Sequence, residues 1–196
     1  MIKLATFRNQ GFSRGVPRWK EGLWWLCRSM LFAPWFPVPS GLKVAALRFF
    51  GAKVAEGVVI RSRVNITMPW RLTIGAHVWI GDEVGILSLD EVRIGSNTCI
   101  SQRAYLCTGS HDFSKEGFDL ITRSIVIGEG CWVGAQAFVG PGVMMGEGSR
   151  CLAGAVVVKR VEAGATVGGV PARRQIRREM GRGHLARSER RKRNGE

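Results

Sequence analysis

The segment Ile127-Gly-Glu-Gly-Cys-Trp-Val133-Gly-Ala-Gln-Ala-Phe-Val139-Gly-Pro-Gly-Val-Met-Met145-Gly146 carries an apolar side chain at every sixth position, each followed by glycine. Working outward, the same spacing links Val54, Ile60, Ile66 and Leu72, then Ile74, Ile80, Ile86 and Val92, then Ile94, Ile100 and Leu106. It resumes at Ile127 and runs on through Cys151 and Val157. All seventeen positions are apolar, whereas random placement at the chain's 45% hydrophobic content would fill about eight. The register slips by two residues after Leu72 and after Val92, and a longer insertion follows Leu106. Helices repeat at three and four residues, and antiparallel strands alternate at two with turn signals every 8 to 12. A period of six with a small residue behind it marks short strands joined by tight corners, three strands to a coil, with the aliphatic groups stacked inward. The expected fold is therefore mainly β, a parallel β-helix of hexapeptide repeats over residues 54–172.

The flanks differ in composition. Of the net charge of +14, residues 1–53 contribute +8 and residues 173–196 contribute +7, while the body from 54 to 172 carries −1. A nucleic-acid domain would be basic across its binding face, so this distribution argues against a nucleic-acid partner for the body. Trp19–Ala33 and Ser40–Phe50 read as two short helices, with Ser40 as N-cap and Pro34, Pro37 and Pro39 between them. Trp24, Trp25, Leu31, Phe32, Trp35 and Phe36 have two available uses. They can cap the open end of the coil stack, or, with Lys20 and Arg28, rest as a peripheral contact on an anionic membrane. Residues 173–196 form a basic, Arg-rich C-terminal extension.

No signal-peptide pattern opens the chain, and the apolar stretch Leu23–Phe36 falls short of the roughly 20 residues that span a bilayer, so a cytoplasmic location is expected. Five cysteines without a C-x-x-C pair, at 27, 99, 107, 131 and 151, read as reduced thiols, and no metal site is indicated.

Between His111 and Ile127 the six-residue pattern stops, so a loop over 112–126 must leave the body, and His111 stands at its departure point. Loops leaving a rigid scaffold concentrate chemistry. A neutral hydroxyl is a poor nucleophile until its proton is removed, and neutral imidazole, with an ordinary pKa near 6.5, is suited to take it. Asp112, Asp119 and Glu116 are the side-chain candidates to hold the other ring nitrogen, beside a backbone carbonyl; backbone N–H groups should face the oxyanion. His77, at a probable corner, and His184, in the tail, read as exposed polar residues.

Cys107-Thr-Gly-Ser-His111-Asp112, followed by Phe118-Asp-Leu-Ile-Thr122, resembles the hexapeptide-repeat acyltransferases, closest to the O-acetyltransferases of exopolysaccharide synthesis of the colanic acid type. The resemblance covers about residues 54–172. It implies a left-handed coil, acetyl-CoA as co-substrate, a sugar or lipid-linked saccharide acceptor, a homotrimer with the site between subunits, and His111 as general base with Asp112 beside it. It further implies coenzyme contacts at Trp132, Ala135, Ala153, Lys159 and Arg173. Related enzymes often carry an acceptor-binding Asn one coil before the histidine. Here Gly85-Ile-Leu-Ser-Leu-Asp90 has none, leaving Ser88 or Asp90 as substitutes. The competing readings are N-acylation of an amino sugar and a non-catalytic β-helix scaffold with a polyanion-binding tail.

Overall fold

A computed structural model of the protein describes residues 2–7 and 11–175. Two helices, α1 (Arg18–Leu31) and α2 (Ser40–Phe49), precede a parallel β-solenoid of about six turns. Each turn lays one short strand on each of three faces. The first face stacks Lys53–Val54, Leu72–Ile74, Val92–Ile94, Ile125–Ile127 and Met144–Met145. The second runs from Val59–Ile60 through Trp79–Ile80, Cys99–Ile100, Trp132–Val133 and Arg150–Cys151 to Thr166–Gly168. The third stacks Asn65–Ile66, Gly85–Leu87, Tyr105–Cys107, Phe138–Val139 and Val156–Val157.

All seventeen repeat positions are buried in one continuous core. Each such aliphatic group contributes about 1.5–3 kcal/mol on leaving water. The two-residue register slips have a structural cause. On the first face the strands Leu72–Ile74 and Val92–Ile94 are three residues long and bury both ends, so one strand uses two apolar positions. Early coils consequently advance by twenty residues, pairing Val54 with Ile74 and Ile74 with Ile94, whereas later ones advance by eighteen, pairing Ile127 with Met145.

The glycine behind the aliphatic residue answers to space rather than to an unusual dihedral. A Cβ on Gly134 would lie 2.5 Å from the Ala153 backbone nitrogen, and one on Gly95 would lie 2.5 Å from that of Glu129. Two residues further on, the first corner needs a left-handed residue in each coil, filled by Gly57, His77, Asn97, Gly130, Gly148 and Gly164. His77 is thus a corner residue, as its position in the repeat suggests.

The first coil exposes an unpaired strand edge on each face, and the helices cover all three. Arg48 donates to the Val54 and Ala55 carbonyls at 2.9 and 3.0 Å. Lys43, fully buried, donates to Ile60 and Arg61 at 3.2 and 2.7 Å, and the Trp24 indole donates to Ile66 at 3.0 Å. Satisfying these carbonyls removes both a desolvation cost and an edge that would otherwise pair with another chain. Ser40 is the first residue of α2 and not its N-cap, because its hydroxyl is engaged with the Ile60 N–H and carbonyl. Only part of the aromatic segment caps the stack: Trp24 and Phe32 are buried, whereas Trp25, Trp35 and Phe36 face outward. At the other end, Arg173–Arg174 returns antiparallel to Thr166–Gly168. The rest of the basic extension, residues 176–196 with His184, lies outside the described residues.

Candidate active site

The third corner, between the third and first faces, is where the chain leaves the solenoid. Thr108 fixes the exit: its buried hydroxyl donates to the Leu87 carbonyl at 2.7 Å and accepts from the Asp90 N–H at 3.0 Å, tying this coil to the one before. Gly109–His111 then pairs antiparallel with Leu120–Thr122, with His111 opposite Leu120. The Arg123 N–H closes the base on Thr108 at 2.9 Å, and Ile125–Ile127 rejoins the first face. The excursion expected over 112–126 is accordingly a hairpin, and Ile125 and Val126 already belong to the next coil.

His111 is half-buried in this hairpin. Its Nδ1 lies 2.8 Å from the Phe118 carbonyl oxygen. Since a carbonyl only accepts, Nδ1 carries the proton in that contact, and in the neutral ring the lone pair is left on Nε2. The Phe118 ring stacks on the imidazole, centroids 4.2 Å apart and planes within 1°, and Phe7 approaches at 5.7 Å. Phe118 reaches this geometry from a left-handed backbone with φ 52°.

None of the three acidic candidates holds the ring. Asp112 accepts from the Ser114 hydroxyl and N–H, which hold its carboxyl below the usual carboxylate range. Asp119 pairs with Lys115 at 3.1 Å and Glu116 with Lys3 at 2.5 Å. In this structure the group that holds the ring is therefore the Phe118 carbonyl, and Asp112 is turned to Ser114. A backbone carbonyl is one of the alternatives the sequence leaves open, but nothing in the sequence singles out Phe118 as the residue that supplies it.

Ser88 does not face open space in this structure. It is fully buried, and its hydroxyl accepts from the Met68 N–H and donates to the Met68 carbonyl, both at 2.9 Å. Asp90 does face open space: with Gly11, Phe12, Ser13, Arg71, Glu91, Leu120 and Thr122 it lines a cleft of about 530 Å³. Leu120 joins this cleft to the strand opposite His111.

The coenzyme candidates are spread over the second face, two corners and the terminal strand. Trp132 lies on the outside of the second face, its indole donating to Ser101 Oγ at 2.8 Å. Ala135 and Ala153 stack at the second corner, joined by the Gly154 N–H to the Ala135 carbonyl at 2.8 Å. Lys159 is exposed at the third corner, two coils beyond the hairpin, and Arg173 is exposed on the terminal strand. One chain thus holds His111 on one corner and Trp132, Ala135 and Ala153 around another. Among the described residues no group of three or more His, Cys, Asp or Glu side chains gathers as a metal site.

No protein-family model matches the chain. It is 44% identical over 173 residues to a provisionally named colanic acid biosynthesis acetyltransferase of Escherichia coli strain K12, covering 88% of this chain and 94% of that one. Galactoside O-acetyltransferase of the same organism is 29% identical over 126 residues, covering 62% of each chain. Among solved structures, a hexapeptide-repeat acetyltransferase of Vibrio cholerae O1 biovar eltor complexed with acetyl coenzyme A superposes with a TM-score of 0.76 at 20% identity, covering 87% of this chain and 94% of that one. A galactoside acetyltransferase in complex with coenzyme A gives 0.73 at 20% identity over 81% and 80% of the two chains. At that identity the structural likenesses speak to the fold.

Proposed function

The chain belongs to the hexapeptide-repeat acetyltransferases, and from that premise we propose that it moves the acetyl group of acetyl-CoA onto a sugar hydroxyl in exopolysaccharide synthesis, with His111 as general base. The observation that carries the assignment of the base is the contact of His111 Nδ1 with the Phe118 carbonyl, which leaves Nε2 as the proton acceptor. As Nε2 takes the hydroxyl proton, the sugar oxygen bonds to the thioester carbonyl carbon. The tetrahedral intermediate then expels the coenzyme thiolate, the C–S bond breaks, and the imidazolium returns the proton to sulfur. Each charge is transient and no metal is required. A positioned base of this kind is worth about 10²–10⁴ in rate.

The acceptor enters the cleft beside Leu120, where Asp90 and Arg71 offer an acceptor and a donor to sugar hydroxyls. Acetyl-CoA runs along the second corner, where Ala135 and Ala153 leave room for the pantetheine arm and Trp132 flanks the thioester, while Lys159, from the third corner, and Arg173, from the terminal strand, meet the phosphates. Because His111 and the second corner are apart within one chain, the working site forms where the third corner of one copy meets the second corner of another, in a homotrimer. Supplying acetyl-CoA with a panel of neutral sugars and of amino sugars, and following thiol release, tests this reading. Acetylation of hydroxyl-only acceptors is expected, and transfer confined to amino groups would contradict it.

A further inference from the structure

A helix on the surface of a water-exposed protein buries its apolar stripe and turns charge outward. Helix α1 buries Trp24 and packs Cys27 and Leu31 against the core, yet turns apolar side chains outward as well. Its exposed residues are Arg18, Trp19, Gly22, Leu23, Trp25, Leu26, Ser29 and Met30, five of them large and apolar and none acidic. Lys20, Glu21 and Arg28 lie on its half-buried flanks, and Glu21 is engaged by Arg14. Trp35 and Phe36, which follow the helix, are 83% and 66% exposed. Five large apolar side chains on one helix face, continued by Trp35 and Phe36, form a patch of the kind that marks a binding surface.

Charge decides what it binds. Residues 11–53 hold seven Lys and Arg and a single acidic residue, Glu21. A second copy would bring like charge to like charge, which is repulsive. Two arginines are set among the exposed tryptophans, the Arg28 guanidinium 5.5 Å from the Trp25 ring and that of Arg63 5.1 Å from the Trp35 ring. Between them opens a cavity of about 280 Å³ lined by Arg28, Ser29, Ala33, Arg63, Val64 and Asn65. Within it Arg28 donates to Asn65 Oδ1 at 2.8 Å, and Arg63 lies 3.7 Å from Glu83, which is shared with Arg103. Tryptophan favours the water–hydrocarbon boundary, and arginine at that depth meets lipid phosphate. No helix among the described residues is long and apolar enough to cross a membrane, and α1, at 14 residues, is suited to lie along one.

We propose that the outward face of α1, continued by Trp35 and Phe36, docks on an anionic phospholipid bilayer with the helix parallel to the surface and lipid phosphates entering between Arg28 and Arg63. The docked face lies on the closed end of the solenoid, beside the first coil, so the solenoid stands off the membrane with the third corner and its hairpin at the side, clear of the bilayer.

The test is flotation of the full-length protein with vesicles of phosphatidylglycerol and phosphatidylcholine, against vesicles of phosphatidylcholine alone. Binding is expected only to the anionic vesicles, weakened by salt. Lipids brominated in their acyl chains should quench part of the tryptophan emission, a signal that binding through the Trp-free residues 176–196 would not give. Leu23→Gln combined with Leu26→Gln should lower the partition by about tenfold or more while keeping the wild-type melting curve. Absence of wild-type binding to anionic vesicles overturns the proposal, as does unchanged partition of the double variant. A fall in oligomer mass caused by the two substitutions would mean that another copy covers this face, and also overturns it.

Discussion

Phe118 does two things to one imidazole: its carbonyl holds Nδ1 and its ring lies flat on the His111 ring. The two can be separated by substitution, because glycine accepts the φ of 52° without strain and keeps the carbonyl while removing the ring. Phe118→Gly should lower kcat by about tenfold through a less confined base, leave KM for acetyl-CoA unchanged, and be rescued by Phe118→Tyr. A parallel rise in KM, or a variant indistinguishable from wild type, would mean that the stacking has no positioning role. At this scale the sequence was informative about His111, since the break in the repeat falls immediately behind it. It left the hydrogen-bond partner open between three carboxylates and a backbone carbonyl, because a carbonyl is present at every residue and only the hairpin selects which one arrives. The same holds for Ser88, whose hydroxyl is engaged inside the fold. Its polarity suggested a ligand, but the corner needed that hydroxyl to bind Met68.

Among the elements, the corners are the most sequence-constrained part of the coil. Gly134 and Gly130 make opposite predictions although both are corner glycines. A methyl on Gly134 would meet the Ala153 backbone nitrogen at 2.5 Å and the Leu152 carbonyl carbon at 2.6 Å, neither of which can yield without separating two coils. On Gly130 it would meet nothing within 4 Å, and only the left-handed backbone at φ 64° opposes it. Urea unfolding should therefore show Gly130→Ala costing about 1–2 kcal/mol, and Gly134→Ala clearly more. Equal losses would refute the reading that close coil stacking selects the glycine. The aliphatic rungs were legible because burial imposes a strict period, and all seventeen are inside. The hairpin was legible only as an interruption: Gly109–His111 and Leu120–Thr122 are three residues each and lack the alternation that announces a strand.

Over the described residues, the near-neutral body seen in the composition corresponds to the solenoid, and the basic segment 11–53 to the helices at its first coil. The division of the aromatic segment, with Trp24 and Phe32 inward and Trp25, Trp35 and Phe36 outward, depends on which side chains meet the edge of the first coil, and composition does not carry that information. If the site is shared between copies, two variants defective on opposite corners should complement each other. His111→Ala and Ala153→Trp, each inactive alone, should on co-assembly recover about a quarter of wild-type activity, since half the histidine corners then meet half the intact coenzyme corners at random. No recovery in verified mixed oligomers would place the whole site within one chain. The central claim rests on the proton accepted at His111. Single-turnover acetyl transfer from acetyl-CoA to a sugar acceptor by His111→Ala, with the folded state verified by its melting curve, tests it most directly. The rate should fall by about 10²–10⁴, and transfer at the wild-type rate would contradict it.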